Sequence, residues 1–445
     1  MSADTAERLV ALRRDLHRHP EPAWCEFYTT ARIVEACRRI GVDESQRDSS
    51  AHQNSPSSGG VDTLHVGRDA IDPEARMAVP EDDELADWFE RARDEGADPE
   101  ILERLEGGHT GAVAMLERGE GPTVALRVDI DALHITESES GNHHPASEGF
   151  RSEHEGQMHA CGHDGHAAIG VGVLEAIAAS DFAGTFKVVF QPAEERVGGG
   201  KAVAESGHLD DVDYLYAVHL GLDYPTGEVV AGIDGFLAVS HLLAEFDGEP
   251  AHAGAHPEQG RNAVQAMATA IQNLYAIPRH DGGATRVNAG RAGGGTATNI
   301  IPEDAFVEGE VRGETTELMR YMKEKADRVL HSAAEMHDCE VELSTKGEAP
   351  SATSDDELRD VFGAEAADVA GVDSVLDRDD LGGSEDATFL MKRVQEQGGL
   401  ACYVCVGTDH PGGHHTSTFD VDERSISIGV ESLTEAILRV AREQP

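Results

Sequence analysis

The chain has 445 residues, of which 84 are acidic and 36 basic, so its formal net charge is −48. Because nucleic acids and anionic membranes are themselves negative, this charge argues against either as a partner. An acidic disordered protein is the competing explanation of the charge, but hydrophobic residues form 39% of the chain and recur in buried-strand patterns, which favours a folded chain. At this length two domains are expected.

The acidic surplus also indicates a habitat. A chain this charged repels itself at low salt, whereas at 1 M salt the Debye length falls to about 3 Å, so we expect a halophilic protein.

The sequence opens without a basic stretch and apolar core, and no apolar run approaches the roughly 20 residues that span a bilayer. We therefore expect a cytoplasmic location.

Helical periodicity opens the chain over residues 6–40, and a polar stretch rich in serine and glycine follows at 43–60. Residues 81–105 are acidic and helix-prone, and we interpret about 43–110 as an insertion within the first domain. Apolar strands that alternate with helices then predict an α/β fold, with a central mixed sheet flanked by helices. The strands behind this prediction lie near residues 111–116, 123–130, 185–190 and 213–219.

The region between 237 and 346 follows a different order of strand, helix, two strands, helix and strand. This order predicts a smaller α+β domain inserted into the first one. A closing helix, 423–442, returns to the first domain. The predicted division is therefore one domain of residues 1–236 and 347–445, and a second of residues 237–346.

The segment from 157 to 166 holds three histidines and one cysteine, and this density of ligand side chains indicates a transition metal. In an extended segment the spacing of Cys161 and His163 would put both side chains on one face, with Gly162 allowing close backbone approach. Asp164 would then cap the following helix. The alternative is a buried cysteine among surface histidines.

Further candidate ligands follow downstream. Glu194 and Glu195 come directly after a buried strand, and neighbouring side chains point apart in extended backbone, so one can bind metal while the other faces a water. His219 ends another apolar strand, and His414 and His415 end a glycine-rich loop. Taken alone, His219 would be a core histidine. Together these positions favour a metalloenzyme.

At these positions the sequence resembles the di-metal amidohydrolase and peptidase family of indole-acetyl-amino-acid hydrolases, hippurate hydrolases and N-acyl-amino-acid deacylases, and within it the branch acting on p-aminobenzoyl-glutamate. The likeness covers nearly the whole chain apart from about residues 43–110. Its most specific motifs are Met-His-Ala-Cys-Gly-His-Asp-Gly-His at 158–166 and Gln-Pro-Ala-Glu-Glu at 191–195. Weaker matches lie at residues 12–17, 125–133, 149–153, 251–254, 260–263, 299–302, 383–388 and 414–420.

The resemblance implies two divalent ions, which the sequence does not rank among zinc, manganese, cobalt and nickel. The last ligand in relatives lies four residues before a phenylalanine, which here is Phe419, so we prefer His415 over His414. The sequence departs from relatives at Ser417 and His134, where proline is frequent. Asp131 resembles a buried aspartate that supports the ligands. The implied ligands are Cys161, His163, Glu195, His219 and His415.

The same resemblance implies a mechanism. Two ions about 3.5 to 4 Å apart would share a water and lower its pKa toward neutrality, and Glu194 would move its proton to the leaving amine. His252 matches a histidine that reaches from the smaller, lid and dimerisation domain into the partner's site to stabilise the oxyanion; an ordinary loop histidine is the alternative. This role in trans predicts a homodimer that forms through the lid.

The lid would also bind the substrate. Arg312 is a candidate for a bidentate pair with a substrate carboxylate, and Asn299 would add hydrogen bonds; a surface salt bridge is the alternative for Arg312. These residues predict a small substrate such as an N-acyl amino acid or aminobenzoyl-glutamate. The alternative functions are an aminopeptidase or dipeptidase of the same fold, and a catalytically silent metal-binding subunit of a hetero-oligomer.

Overall fold

The computed structural model describes residues 1–41 and 60–445, so the polar stretch predicted at 43–60 falls almost wholly outside the described residues. The described chain forms two compact units. The first consists of residues 1–234, 352–381 and 387–445, and the second of residues 235–351 and 382–386.

The helices and strands are numbered separately in chain order. They are α1 (Ala3–Arg18), α2 (Phe27–Arg39), β1 (Thr63–Val66), α3 (Asp82–Asp94), α4 (Pro99–Leu105), β2 (Ala112–Glu117), β3 (Thr123–Asp129), α5 (His144–Glu148), α6 (His163–Ala178), β4 (Thr185–Gln191), α7 (Gly200–Ala204), β5 (Tyr214–Leu220), β6 (Glu228–Val230), β7 (Ile233–Asp234), β8 (Ala238–Asp247), α8 (Ala263–Tyr275), β9 (Thr285–Gly294), β10 (Asp304–Gly313), α9 (Thr316–Glu335), β11 (Glu340–Ala349), α10 (Asp356–Ala366), β12 (Ser374–Leu376), β13 (Asp379–Asp380), α11 (Ala387–Glu396), β14 (Leu400–Val406) and α12 (Arg424–Glu443).

The first unit is built on a mixed sheet with the strand order β1-β2-β4-β3-β5-β14-β6-β12. Strands β4, β3, β5 and β14 run parallel to one another, whereas β2 is antiparallel to β4 and β6 is antiparallel to β14. They are buried almost throughout because helices cover both faces of a parallel sheet. The carboxyl ends of parallel strands meet at one edge, and the segments that follow β3, β4 and β5 therefore converge there.

The second unit is an antiparallel sheet, β11-β8-β10-β9, with α8 and α9 packed against it. Its core is formed by apolar side chains of both helices and the sheet, among them Phe246, Leu274, Val307, Met322 and Leu330. The predicted fold class, a mixed sheet flanked by helices with a smaller α+β insertion, is confirmed.

One predicted element is wrong. The single helical stretch expected over residues 6–40 is two helices, α1 and α2, separated by residues 19–26. Pro20 and Pro22 explain the break, since proline lacks the amide donor that a helix interior needs and disfavours helical backbone in the residue before it. No helix in residues 1–41 and 60–445 is both long and apolar enough to cross a membrane.

Candidate metal centre and catalytic site

A tight turn joins Cys161 to His163. Gly162 lies in the left-handed region with φ 88° and forms the N-cap of α6, whose first residue is His163. The extended segment and the Asp164 cap expected from the sequence are therefore wrong. Glycine adopts this φ without the strain that a Cβ would bring, and the turn brings the thiol and the imidazole together.

A second turn carries the two glutamates. Ala193 has φ 58°, so the extended backbone expected here is also wrong. The backbone N–H of Glu194 donates to Asp131 at 3.1 Å and that of Glu195 at 3.0 Å. The N–H of Ala193 donates to Glu26 at 2.8 Å. Three successive amides are thus held by two buried carboxylates, which fixes the turn.

The side chains proposed as ligands come together in one cluster of the first unit, which is almost wholly buried except at His415. Sγ of Cys161 lies 3.5 Å from Nε2 of His219. Nε2 of His163 lies 3.8 Å from Oε1 of Glu195, and Nε2 of His415 lies 3.6 Å from Oε2 of the same carboxylate. Several groups of three side chains have ligand atoms within 4.8 Å of one another, among them Cys161, His163 and His219; Cys161, Glu195 and His415; and His163, Glu194 and Glu195.

Hydrogen bonds orient the two innermost rings. Nδ1 of His219 donates to the carbonyl of Leu220 at 2.7 Å, which leaves the lone pair of Nε2 facing Cys161. Nδ1 of His163 faces Asp131 at 3.3 Å, which leaves Nε2 toward the carboxylates. This Nε2 is a buried atom without a hydrogen-bond partner in the described residues. The two contacts therefore orient both rings so that Nε2 of each faces the cluster.

The two adjacent histidines of the C-terminal loop differ in their contacts. Nε2 of His414 accepts the N–H of Leu222 at 3.0 Å, and its Nδ1 faces Sγ of Cys161 at 3.6 Å. His415 is half exposed and its backbone N–H donates to Ala160 at 2.8 Å. A ring whose Nε2 already accepts a hydrogen bond has little lone pair left there, whereas Nε2 of His415 faces the Glu195 carboxylate.

The electrostatics of the cluster fit cations. Burial, together with the neighbouring rings, holds the pKa of His219 well below its usual value, and burial lowers that of His415, so both are neutral imidazoles. Burial and Glu195 raise the pKa of the Cys161 thiol well above its usual value. Neutral imidazoles beside buried carboxylates and a thiol form a donor set that divalent metals stabilise.

Three buried residues escape the sequence analysis as a functional group. His166 lies against Asp129 through Nδ1, and its Nε2 accepts the N–H of Leu220 at 2.8 Å. Arg127 donates to the other oxygen of Asp129 at 2.7 Å. These contacts tie the end of β3 to the end of β5, where His219 lies. The signals in the sequence were the presence of His166 in the ligand-rich segment and that of Arg127 and Asp129 in the family match at 125–133.

The remaining predicted site residues lie in the second unit. Nδ1 of His252 accepts the N–H groups of Gly254 and Ala255 at 3.1 Å each, so its proton is on Nε2. The backbone carbonyl of Asn299 accepts the N–H of Ala253 at 3.0 Å. Arg312 forms two hydrogen bonds of 3.0 Å with Glu310, the salt bridge considered as its alternative.

Residues 125–439 match the family described as peptidase family M20/M25/M40. The chain is 43% identical to an indole-3-acetyl-aspartic acid hydrolase from Enterobacter agglomerans, over 95% of this chain and 93% of that one. It is 39% identical to one of the p-aminobenzoyl-glutamate hydrolase subunits of Escherichia coli, over 97% and 96%. The solved aminobenzoyl-glutamate utilization protein from Klebsiella pneumoniae is similar with a TM-score of 0.82 and 35% identity, over 99% of this chain and 98% of that one.

Proposed function

The chain belongs to peptidase family M20/M25/M40 and is a hydrolase of amide bonds, and from this premise we propose that it cleaves an N-acyl or p-aminobenzoyl amino acid of the aminobenzoyl-glutamate type. The observation that carries the proposal is the buried Nε2 of His163, which faces carboxylates and has no hydrogen-bond partner in the described residues. A buried ring nitrogen that faces carboxylates and makes no hydrogen bond is placed as a metal ligand would be.

We propose two divalent cations at this cluster, of zinc, manganese, cobalt or nickel. Asp131 supports this ligand set, because it contacts His163 and also accepts the amides of both glutamates. The ligands would be Cys161, His163, Glu195, His219 and His415.

When bound, such cations polarise the scissile carbonyl and make a water acidic enough to attack it near neutral pH. Glu194 takes the proton of the attacking water and delivers it to the leaving nitrogen, so that the C–N bond breaks and a carboxylic acid and an amine are released. Asp131 accepts the backbone N–H of Glu194, and the Glu194 carboxylate lies within 4.8 Å of ligand atoms of His163 and Glu195.

The second unit supplies the substrate contacts in this proposal. The proton on Nε2 of His252 suits a donor to the oxyanion. Arg312 would bind a substrate carboxylate as it now binds Glu310, by a bidentate pair, and Asn299 would add hydrogen bonds. Because the guanidinium of Arg312 is already paired with Glu310, a substrate carboxylate has to displace Glu310 to bind there.

The Glu194→Gln variant tests the reaction. The amide keeps the size of the side chain but is a poor base, so we expect release of p-aminobenzoate to fall by about 100-fold or more. Metal content, measured by mass spectrometry, should stay at the wild-type value. Glu153→Gln, at an exposed position, is the control and should keep full activity. Activity within threefold of the wild type would refute Glu194 as the base.

A second candidate function is a metal-binding chain that needs a different partner chain for activity, since one relative is named as one of the subunits of its hydrolase. The two candidates differ in what the purified chain does. Turnover of p-aminobenzoyl-glutamate, hippurate or indole-acetyl amino acids by the chain alone excludes a silent subunit. Cleavage restricted to peptides with a free amino terminus would indicate an aminopeptidase or dipeptidase.

We further propose a homodimer that forms through a lid of residues 237–346, with residues 1–236 and 347–445 as the catalytic domain. The net charge of −48 supports a halophilic, cytoplasmic protein, because molar salt shortens the range of its self-repulsion. Light scattering tests the dimer, and a monomer would contradict it. Activity measured across a KCl series tests the halophilic character, and full activity at low salt would contradict that.

A further inference from the structure

A polar cluster lies beside the proposed metal centre and takes no part in the mechanism above. It consists of Arg196, His134 and Gln157, and we call it the Arg196 cluster. Nη2 of Arg196 lies 3.2 Å from Nε2 of His134, and the amide of Gln157 lies 2.9 Å from Nδ1 of the same ring. Arg196 and His134 are exposed, so a ligand can reach both.

The backbone places the cluster next to the catalytic residues. Leu133 and Met158 exchange two backbone hydrogen bonds of 3.0 Å, which brings the neighbouring His134 and Gln157 together. The same two segments lead to Asp131 and Cys161, respectively. Arg196 directly follows Glu195. Three segments that carry site residues therefore meet at this cluster.

The charge of Arg196 is unusual for this chain. Acidic residues outnumber basic ones by 84 to 36, and many arginines pair with carboxylates. Within residues 1–41 and 60–445, the hydrogen-bond partner of Arg196 is instead a ring nitrogen. Desolvation and the charge of Arg196 lower the pKa of His134, which fits a neutral ring that accepts from the guanidinium. The other N–H donors of the guanidinium are left for an anion.

We propose that Arg196, aligned by His134, binds the side-chain carboxylate of the amino-acid part of the substrate and selects N-acyl glutamate or aspartate over neutral amino acids. The inference rests on the proposed function, in which Arg312 binds one carboxylate of a substrate that carries two. Bidentate hydrogen bonding to carboxylate suits a guanidinium. Glu84, on the first turn of α3, adds an opposing charge near His134, which molar salt screens.

The test compares two substrates of nearly equal shape, p-aminobenzoyl-glutamate and p-aminobenzoyl-glutamine. The quantity measured is the ratio of their kcat/KM values, glutamate over glutamine, in molar KCl. The wild type should prefer glutamate. Arg196→Gln should lower this ratio about 10- to 100-fold, the usual effect of losing a charge-assisted pair. Arg196→Lys, which keeps the charge, should retain most of the preference.

The control is Arg93→Gln, an exposed arginine paired with Glu90 on α3, which should leave the ratio unchanged. Metal content is measured for every variant, because Arg196 adjoins Glu195. An equal loss on both substrates, or no change in the ratio, overturns the inference while the proposed function stands. A wild type that retains metal but cleaves neither substrate overturns the proposed function and the inference with it.

Discussion

Replacement of Arg13 by methionine should destabilise the first unit strongly. The guanidinium is fully buried, and its Nε lies 2.7 Å from Asp164 while its Nη2 lies 2.5 Å from Asp420. Asp164 is fully buried and Asp420 is 7% exposed in its side chain. These partners lie next to His163 in sequence and five residues after His415, so Arg13 joins two segments that carry proposed ligands.

The magnitude follows from what the substitution leaves behind. Methionine fills much of the space but provides no donor, so of their ionisable partners Asp164 would keep His17, at 2.8 Å, and Asp420 would keep His144, at 2.9 Å. Removing one partner of a buried ion pair costs about 3–5 kcal/mol, whereas an exposed pair contributes about 0–1 kcal/mol. The nearby Glu423, 19% exposed and 3.5 Å from Nη1, adds little to this loss. We expect the free energy of unfolding to fall by about 3–5 kcal/mol.

The assay uses the natural fluorescence of the chain. Trp24 and Trp88 are its two tryptophans, and both are buried in the first unit, so their emission during denaturation in urea reports the unit that contains Arg13. The control is Arg93→Met, at an exposed pair. Because the Arg13 pairs are buried, the loss should persist in molar KCl. A loss no larger than that of the control would refute the reasoning.

Two further predictions concern pH and the catalytic turn. Burial and Arg13 oppose protonation of His17, yet hydrogen bonds to Asp164 and Glu137 raise its pKa to about 9. A raised pKa stabilises the fold below the ordinary value of 6.5, and the contribution is lost as the pH rises to about 9. The urea midpoint should therefore fall over this range more in the wild type than in His17→Gln, and parallel curves would contradict the prediction. A methyl group on Gly199 would meet the carbonyl oxygen of Pro192 at 1.7 Å, so Gly199→Ala should shift the glutamate turn and lower kcat about 100-fold. The control is Gly141→Ala, where a methyl group would meet no heavy atom within 4 Å, and its kcat should stay unchanged. Equal kcat values for the two variants would contradict the prediction.

Local pattern was enough to predict the architecture. Runs of apolar residues identify the strands of the mixed sheet, and the changed order of elements after residue 237 separates the smaller sheet from it. The choice of Cys161, His163, Glu195, His219 and His415 as candidate ligands also came from sequence, through motifs whose spacing resembles a known family. These features depend on residues close together in the chain, where periodicity and motif spacing are visible.

The backbone of the two turns could not be predicted in the same way. Gly162 and Ala193 both have positive φ, a conformation that the sequence analysis replaced by extended backbone. At Gly162 the missing Cβ makes this φ available, whereas Ala193 is held there by contacts that include Glu26, which lies far away in sequence. A strained local conformation is stabilised by its surroundings, and these exist only in the folded chain.

The sequence by itself determined which side chains are available for metal binding and acid–base chemistry, and on which elements they lie. Only the tertiary structure decided which nitrogen of His163 and His219 faces the cluster, that Arg13 joins Asp164 to Asp420, and that Arg196 meets His134 across 62 positions of sequence. The physical reason is that ring orientation and ion pairing depend on hydrogen bonds between segments far apart in the chain. No local pattern records such partners, because they become neighbours when the sheet forms.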